Sequence, residues 1–370
     1  MNNPEEILLL SFITLAGLHI IPVLIKTLLL VFTPEVKINT PLEPVTVIVC
    51  ARNEEENLKE LVPLLLAQDH PNFEVVIVLD RCFDQSLDYL KSLEPDHPNL
   101  KTLIVDYVPD QFHPKKFGLT LAIKGSNHDW VLLTDADCRP ASKRWVSGMA
   151  MHFRDDKQFV LGYSPYFRES GVLNAYIEYE TFNTAFQYLS SSQLGIPYMG
   201  VGRNLAYRKS LFLAQLGFGS FQSITGGDDD LFVQYHAHRN NTVIATGKDL
   251  LVFSKPKKHL GSYLKQKKRH YSVSKYYKRI VLLRHIIRSN IHLLLWLSFI
   301  ILAVSNVETL LVSGTMLSVL ALKGIFFSWS TQKMGQGYRF WFTPLLDLAH
   351  AVFLPVISAI SFFRKNIRWN

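Results

Sequence analysis

The sequence predicts an α/β domain built on a parallel sheet and carried between membrane-spanning segments near both ends of the chain. Three observations lead there. The middle alternates β-branched runs with stretches of helical spacing. Apolar residues, 48% of the 370-residue chain, concentrate towards the two ends. A basic segment without a single acid stands directly before the second apolar region.

The first apolar block runs from Ile7 to Phe32 and holds only His19 and Lys26 as titratable groups. At ~1.5 Å per residue, that length crosses a bilayer core of about 30 Å. Glu5 and Glu6 precede it instead of the basic residues of a cleavable leader, and no small-residue cleavage site follows. Residues 1–43 are therefore read as an anchor.

Residues 44–254 form the expected catalytic unit. Val45–Cys50, Glu74–Asp80, Thr102–Asp106 and Trp130–Asp135 are read as strands. Glu54–Leu66, Gln85–Leu93 and Phe117–Ile123 are read as helices, and Arg154–Gly171 and Gly217–Gly227 as the main loops of the second half. Strand-helix alternation gives a parallel sheet with helices on its faces. Such sheets bind ligands at the carboxyl ends of their strands. Cys50, Cys82 and Cys138 show no paired metal spacing and are read as reduced structural thiols.

The strand ends carry the chemistry. Ala51-Arg52-Asn53-Glu54 follows the first strand and Asp80 closes the second. Lys115-Lys116 precedes the third helix, and Asp135-Ala136-Asp137 ends the fourth strand. Residues two apart in an extended chain point to one side, so Asp135 and Asp137 can address one ion. Acids sharing a cleft repel, and a hard divalent cation with oxygen ligands relieves this. An isolated Asp-x-Asp also occurs in solvated turns; its place after Trp-Val-Leu-Leu and two other acid-bearing strand ends separates it from those.

Further on, Gly202-Arg203-Asn204 offers either an ordinary turn or a close backbone approach to a ligand. Gly226-Gly227-Asp228-Asp229-Asp230-Leu231 places three acids before a helix, and helix capping accounts for only one or two of them. Residues 255–290 are basic and Tyr-rich, and contain Gln266-Lys267-Lys268-Arg269-His270. By spacing alone this is an amphipathic helix on a membrane surface. The membrane already accounts for the basic charge, so nucleic acid is not expected as a partner. Residues 291–370 hold further spans near Ile291–Val304, Thr309–Ser328 and Trp341–Phe363. The last contains Pro344, Asp347, His350 and Pro355 and is read as a broken or re-entrant helix lining a cavity.

Taken in order, Val47–Glu54, Val78-Leu79-Asp80, Thr134–Asp137, Gly226–Leu231 and Gln266–His270 resemble the motifs of family 2 glycosyltransferases. The likeness is to membrane members such as cellulose, chitin and hyaluronan synthases and ceramide glucosyltransferases, and it covers about Val45 to Tyr277. It implies a GT-A fold, a Rossmann-like nucleotide-diphospho-sugar transferase domain with flanking transmembrane helices. It also implies roles. Ala51, Arg52, Asn53 and Glu54 would contact the nucleotide, and Asp80 its base or ribose. Lys115, or alternatively Lys116, is the basic residue approaching the nucleotide. Asp135 and Asp137 would position the sugar nucleotide and Mg²⁺ or Mn²⁺. Aligning on Leu231 makes Asp228 the catalytic base, with Asp229 its nearest rival. Gln266 and Arg269 match Gln-x-x-Arg-Trp, by the diphosphate and acceptor. Two positions depart from the pattern: His270 stands where the motif has Trp, and Gly227 where an acid commonly precedes the base.

The expected function is inverting, metal-dependent transfer from a nucleotide-sugar donor, a UDP-sugar foremost. The acceptor would be a membrane lipid or a lipid-linked glycan. The enzyme is expected in the plasma or inner membrane with its catalytic domain in the cytoplasm. A processive polysaccharide synthase is the alternative within the class; an inactive membrane scaffold is the alternative outside it. Arg364, Lys365 and Arg368, after three C-terminal spans, would lie outside the cytoplasm against the positive-inside tendency. Ile367-Arg368-Trp369 resembles the tail of ceramide-glucosyltransferase-like proteins.

Overall fold

The computed structural model describes residues 4–34 and 41–363; the C-terminal tail from 364 lies outside them. The chain runs α1 (Pro4–Val31), β1 (Val45–Ala51), α2 (Glu55–Leu66), β2 (Phe73–Asp80), α3 (Ser86–Leu93), β3 (Leu100–Val105), α4 (Pro114–Gly125) and β4 (Trp130–Asp135). It continues through β5 (Cys138–Pro140), α5 (Trp145–Ala150), β6 (Phe159–Leu161), α6 (Val172–Gln193), β7 (Leu205–Arg208), α7 (Lys209–Ala214), α8 (Asp230–His236), β8 (Thr242–Ile244) and β9 (Val252–Ser254). Then come α9 (Leu260–Ser272), α10 (Arg279–Val304), α11 (Thr309–Lys333) and α12 (Thr343–Phe363).

A seven-stranded sheet has the order β3-β2-β1-β4-β7-β6-β8. Strands β1 to β4 are mutually parallel, whereas β7 runs antiparallel to both β4 and β6. Alternate residues feed two cores, as the period of two requires. Val47, Val49, Val75 and Ile77 pack with Leu58, Leu61 and Leu65 of α2. Ile48, Val76, Val78 and Val131 pack on the other face with Leu119 and Ile123 of α4 and with α6. Burial on both faces explains why β1 and β2 are almost continuously apolar. A small antiparallel sheet pairs β5 with β9, which brings Ser254 beside Cys138.

Four helices are long and apolar enough to cross a membrane: Pro4–Val31, Arg279–Val304, Thr309–Lys333 and Phe340–Ser361. Helix α1 packs along α10 and α11, and α10 along α12. Their apolar core includes Phe12, Leu295, Met316 and Ala351. A polar knot sits beside it. Asp347 of α12 accepts hydrogen bonds from His292 Nε2 at 2.8 Å, Trp296 Nε1 at 3.0 Å and Tyr179 Oη at 2.7 Å, and pairs with Lys323. His19 takes part through Lys323 Nζ at 3.2 Å. The His19 and His292 rings and the Asp347 carboxylate present ligand atoms within 4.8 Å of one another. The Lys323 ammonium already neutralises that carboxylate.

Several expectations are corrected. Lys115 and Lys116 lie within α4, which begins at Pro114, a residue suited to a first helical turn. The predicted loop Arg154–Gly171 contains β6, and the 22-residue α6 after it was not anticipated. Its periodicity is hidden because buried Asn174, Glu180, Asn183, Gln187 and Ser190 interrupt the apolar pattern. The span at Ile291–Val304, short by itself, extends backwards into the basic segment as its length requires, and α10 starts at Arg279. Helix α12 is continuous through Pro355, since one missing amide removes one hydrogen bond of many.

Candidate active site

A cleft of about 1190 Å³ opens at the carboxyl ends of the strands and runs beneath α9 to α10 and α12. Its outer part is lined by Ala51, Arg52, Asn53, Glu54, Asp80, Lys115, Asp135 and Asp137, its middle by Gly202, Arg203, Asp228, Asp229, Asp230, Gln266, Arg269 and His270. Parallel strands ending level with one another bring the first group together, although long stretches of chain intervene.

The loops after β1 and β2 hold each other. Asn53 Oδ1 accepts from the Phe83 amide at 2.8 Å, and Asp84 Oδ2 from the Glu55 amide at 3.0 Å. Asn53 (φ 53°) and Arg81 (φ 47°) adopt left-handed backbone, which turns the chain sharply out of each strand. Arg81 then grips Asp80 through Nε at 2.7 Å and Nη2 at 3.1 Å, fixing the carboxylate at the cleft wall.

Lys115 sits between the two acidic motifs, its ammonium 2.9 Å from Asp135 Oδ1 and 3.1 Å from Asp228 Oδ2. Burial alone would lower its pKa, but Asp135, Asp228 and Asp229 outweigh burial and hold it well above the usual lysine range. Burial would likewise raise Asp228, yet Lys115 and Lys116 prevail and bring its carboxyl down to about 2. Lys116 does not reach the cleft. It is buried and donates to the carbonyls of Phe221 and Ile224, clamping the loop before the triple aspartate.

The three aspartates separate by what they touch. Asp229 accepts from the Gly202 amide at 2.7 Å and from the Asp230 amide at 2.8 Å, so it caps α8 and anchors the Gly202 turn. Asp230 accepts from Tyr277 Oη at 2.6 Å and from the Leu231 amide at 2.8 Å. Burial and the neighbouring Asp229 push its carboxyl up to about 7. All three line the cleft, but only Asp228 pairs with Lys115, the cation that also contacts Asp135. Gly227 is required where the family pattern has an acid. Its φ is +80°, and a Cβ would stand 2.6 Å from Leu231 Cδ1.

Asn204 is not brought to the cleft. Fully buried, it donates to Tyr163 O and Leu250 O at 2.8 Å and accepts from Trp145 Nε1 at 3.0 Å. Arg203 stacks 4.5 Å from the Tyr166 ring, and Gln266 Nε2 donates to that tyrosine's hydroxyl at 3.2 Å. Helix α9 does more than rest on a surface: its Lys267 is buried in an ion pair with Glu180 of α6, and Tyr271 Oη adds a hydrogen bond at 3.1 Å. This docking presents Gln266, Arg269 and His270 to the cleft. Desolvation first, then Lys267, Arg269 and Arg203, keep the His270 imidazole neutral. A neutral planar ring thus stands where the motif has Trp.

Asp135 and Asp137 offer carboxylate oxygens only, with Ser254 Oγ 3.4 Å from Asp137 Oδ2. An all-oxygen set of this kind fits Mg²⁺ or Mn²⁺ and not a thiophilic metal. Of the cleft's inner wall, the sequence pointed only to the α12 side, where His350 and Pro355 were expected to line a cavity; the α6 and α10 sides were not foreseen. Glu180, Asn183, Thr184 and Gln187 of α6 line it, joined by His285, Arg288 and Ser289 of α10 and by His350 and Leu354 of α12. A signal existed: polar residues at 180, 183, 184 and 187 recur with helical spacing on one face.

A family model described as glycosyltransferase-like family 2 matches residues 41–272, more than half of the chain. Among solved structures, the mannosyltransferase PcManGT from Pyrobaculum calidifontis, in complex with GDP-Man and Mn²⁺, is similar at a TM-score of 0.60 and 17% identity. The match covers 94% of this chain and 99% of that one. TarS 1–349 of S. aureus is similar at a TM-score of 0.43 and 16% identity, over 86% of this chain and 89% of that one. No curated protein matches.

Proposed function

The chain belongs to the family 2 glycosyltransferases, with a GT-A fold and helices apolar enough to span a membrane, and from that premise we propose how it works. It transfers a sugar, with inversion, from a nucleotide-sugar donor to a membrane lipid or lipid-linked acceptor at the cytoplasmic face. The observation carrying this is the placement of Asp228 across Lys115 from Asp135, in a cleft that continues along two membrane helices.

Asp80 and residues 51–54 hold the nucleoside. Asp135 and Asp137 would hold a divalent ion, which would supply charge neutralisation for the departing diphosphate. The acceptor oxygen attacks the anomeric carbon, forming the new C–O bond as the bond to the donor's diphosphate oxygen breaks. The electron pair leaves with the nucleoside diphosphate, and Arg269 and Lys115 stabilise its negative charge. Asp228 takes the acceptor hydroxyl's proton. Lys115 keeps Asp228 ionised and therefore ready to accept. So weak a base suffices because the hydroxyl becomes strongly acidic as its oxygen bonds to carbon. A single displacement turns an α-linked donor into a β-glycoside.

The test is to incubate full-length protein in membranes with UDP- and GDP-sugars and Mg²⁺ or Mn²⁺, and to identify the product by mass spectrometry. A β-linked glycolipid of one added sugar is expected. A long polymer would favour a processive synthase, and no product with any donor would favour a scaffold.

A further inference from the structure

The inner arm of the cleft holds an unmatched charge. Arg288, on α10, lines it, and no hydrogen bond or ion pair to Arg288 is found among the described residues. The acid on that wall, Glu180, is already engaged by Lys267 and Tyr271. Neutral polar groups surround the same space: Asn183 and Gln187 from α6, Ser289 and Asn290 from α10. Lys26 of α1 hydrogen-bonds Gln187 from behind and so fixes that amide in the wall. Arg288 is half-buried and has no counterion among the described residues, so an anionic ligand entering the arm can supply one.

The arm also has an apolar side. Leu282, Ile286, Leu354, Pro355 and Ala359 line it, and Ile286 is 48% exposed on a helix apolar enough to span a membrane. Leu283 and Ile287, beside it, are exposed as well. The space thus has a cation on one side and exposed apolar side chains on the other.

We propose that this arm binds the headgroup of a phosphate-bearing lipid acceptor, with Arg288 as the residue that recognises its phosphate. This rests on the glycosyltransferase reading above and narrows its acceptor. The planar guanidinium offers paired donors matching two phosphate oxygens. The hydrocarbon leaves past Ile286, and a hydroxyl borne beyond the phosphate reaches Asp228. A glycerophospholipid with a polyol headgroup and an isoprenoid-linked saccharide share this chemistry; a neutral hydroxylated lipid lacks it.

The experiment uses the full chain in a neutral, phosphate-free detergent, supplemented with phosphatidylinositol, with an isoprenyl diphosphate-linked saccharide, or with neutral diacylglycerol. Sugar transfer and lipid retention by native mass spectrometry are both read. One of the two phosphate lipids is glycosylated and retained, which identifies the source, and diacylglycerol is not. Arg288→Gln raises the acceptor KM about ten- to a hundredfold, the weight of a charge-assisted contact, while the donor KM stays within twofold; Arg288→Lys recovers part of the loss. Equal use of diacylglycerol, an unchanged acceptor KM, or a rise in donor KM instead overturns the proposal. If no donor is hydrolysed or transferred by the wild type, the transferase reading fails. Retention of a phosphate lipid by wild type and not by Arg288→Gln then still decides this site, and equal retention overturns it.

Discussion

The ammonium of Lys115 lies 3.1 Å from the Asp228 carboxylate, so the residue assigned as base is held ionised by a cation that also touches Asp135. Asp229, next in the chain, spends its oxygens on the amides of Gly202 and Asp230. Asp228→Asn should lower kcat by about 10²–10⁴-fold with donor binding retained. Asp229→Asn should cost about 1 kcal/mol of stability and much less of kcat, because an amide has one oxygen and can keep only one of the two hydrogen bonds accepted from Gly202 and Asp230. Initial rates and thermal melts of both variants separate the roles. A dead Asp229→Asn beside an active Asp228→Asn would move the base by one residue.

Metal dependence is expected at Asp135 and Asp137. Asp137→Ala should abolish turnover and metal-stimulated nucleotide binding and leave the melting temperature close to wild type. Isothermal titration of nucleotide with and without Mn²⁺ reads this. Full activity in EDTA is the result that removes the assignment.

The buried pair of Lys267 and Glu180 ties α9 to α6. Lys267→Met strands a buried carboxylate and should cost about 3–5 kcal/mol, as such deletions do. It should also lower activity, because Gln266 and Arg269 ride on the same helix. Adding Glu180→Leu should restore much of the stability. Denaturation of the four members of the cycle in detergent measures the coupling; additive losses would show the pair to be incidental.

Asp230 gives a pH signature. Its carboxyl is raised from 3.8 to about 7 by burial and by Asp229. Between those values the folded state binds the proton more firmly than the unfolded chain, so stability falls as pH rises through this window. Below it both states are protonated and the cost is absent; above it the full cost remains. Asp230→Asn should remove that slope. Melting temperatures of wild type and variant from pH 4 to pH 8 should diverge towards the alkaline end, and parallel curves would place the proton elsewhere.

The catalytic domain is expected on the cytoplasmic side, beside the basic segment. Ser92 is exposed on α3. A cysteine introduced there should resist an impermeant thiol reagent in intact cells and react after lysis. Reaction in intact cells reverses the orientation.

The four parallel strands and the acids at their ends were legible in the sequence because each depends on local pattern, whereas β5 to β9, each of three or four residues, are too short to show one. The β-branched run Val45–Ala51 must be buried on both faces, and the residues just beyond a parallel strand stand at its ligand-binding end. Asp80, Asp135 and Asp137 therefore needed no tertiary information to be singled out, and the first apolar span, read as Ile7–Phe32, came from length and composition alone; the helix there runs Pro4–Val31. Choices between neighbours were different. Lys115 and Lys116 are adjacent in sequence, but one residue of helix turns the side chain by about 100°. One lysine therefore meets Asp135 and Asp228 while the other clamps the carbonyls of Phe221 and Ile224. Gly202 and Asp229 likewise find each other only across a fold-back of the chain. The inner arm was decided by tertiary structure. Glu180, Arg288 and His350 lie far apart in sequence, and the buried polar residues of α6 interrupt the periodicity by which that helix would be recognised. Packing alone brings α6, α10 and α12 together, and a buried polar residue discloses its purpose only through the groups that face it.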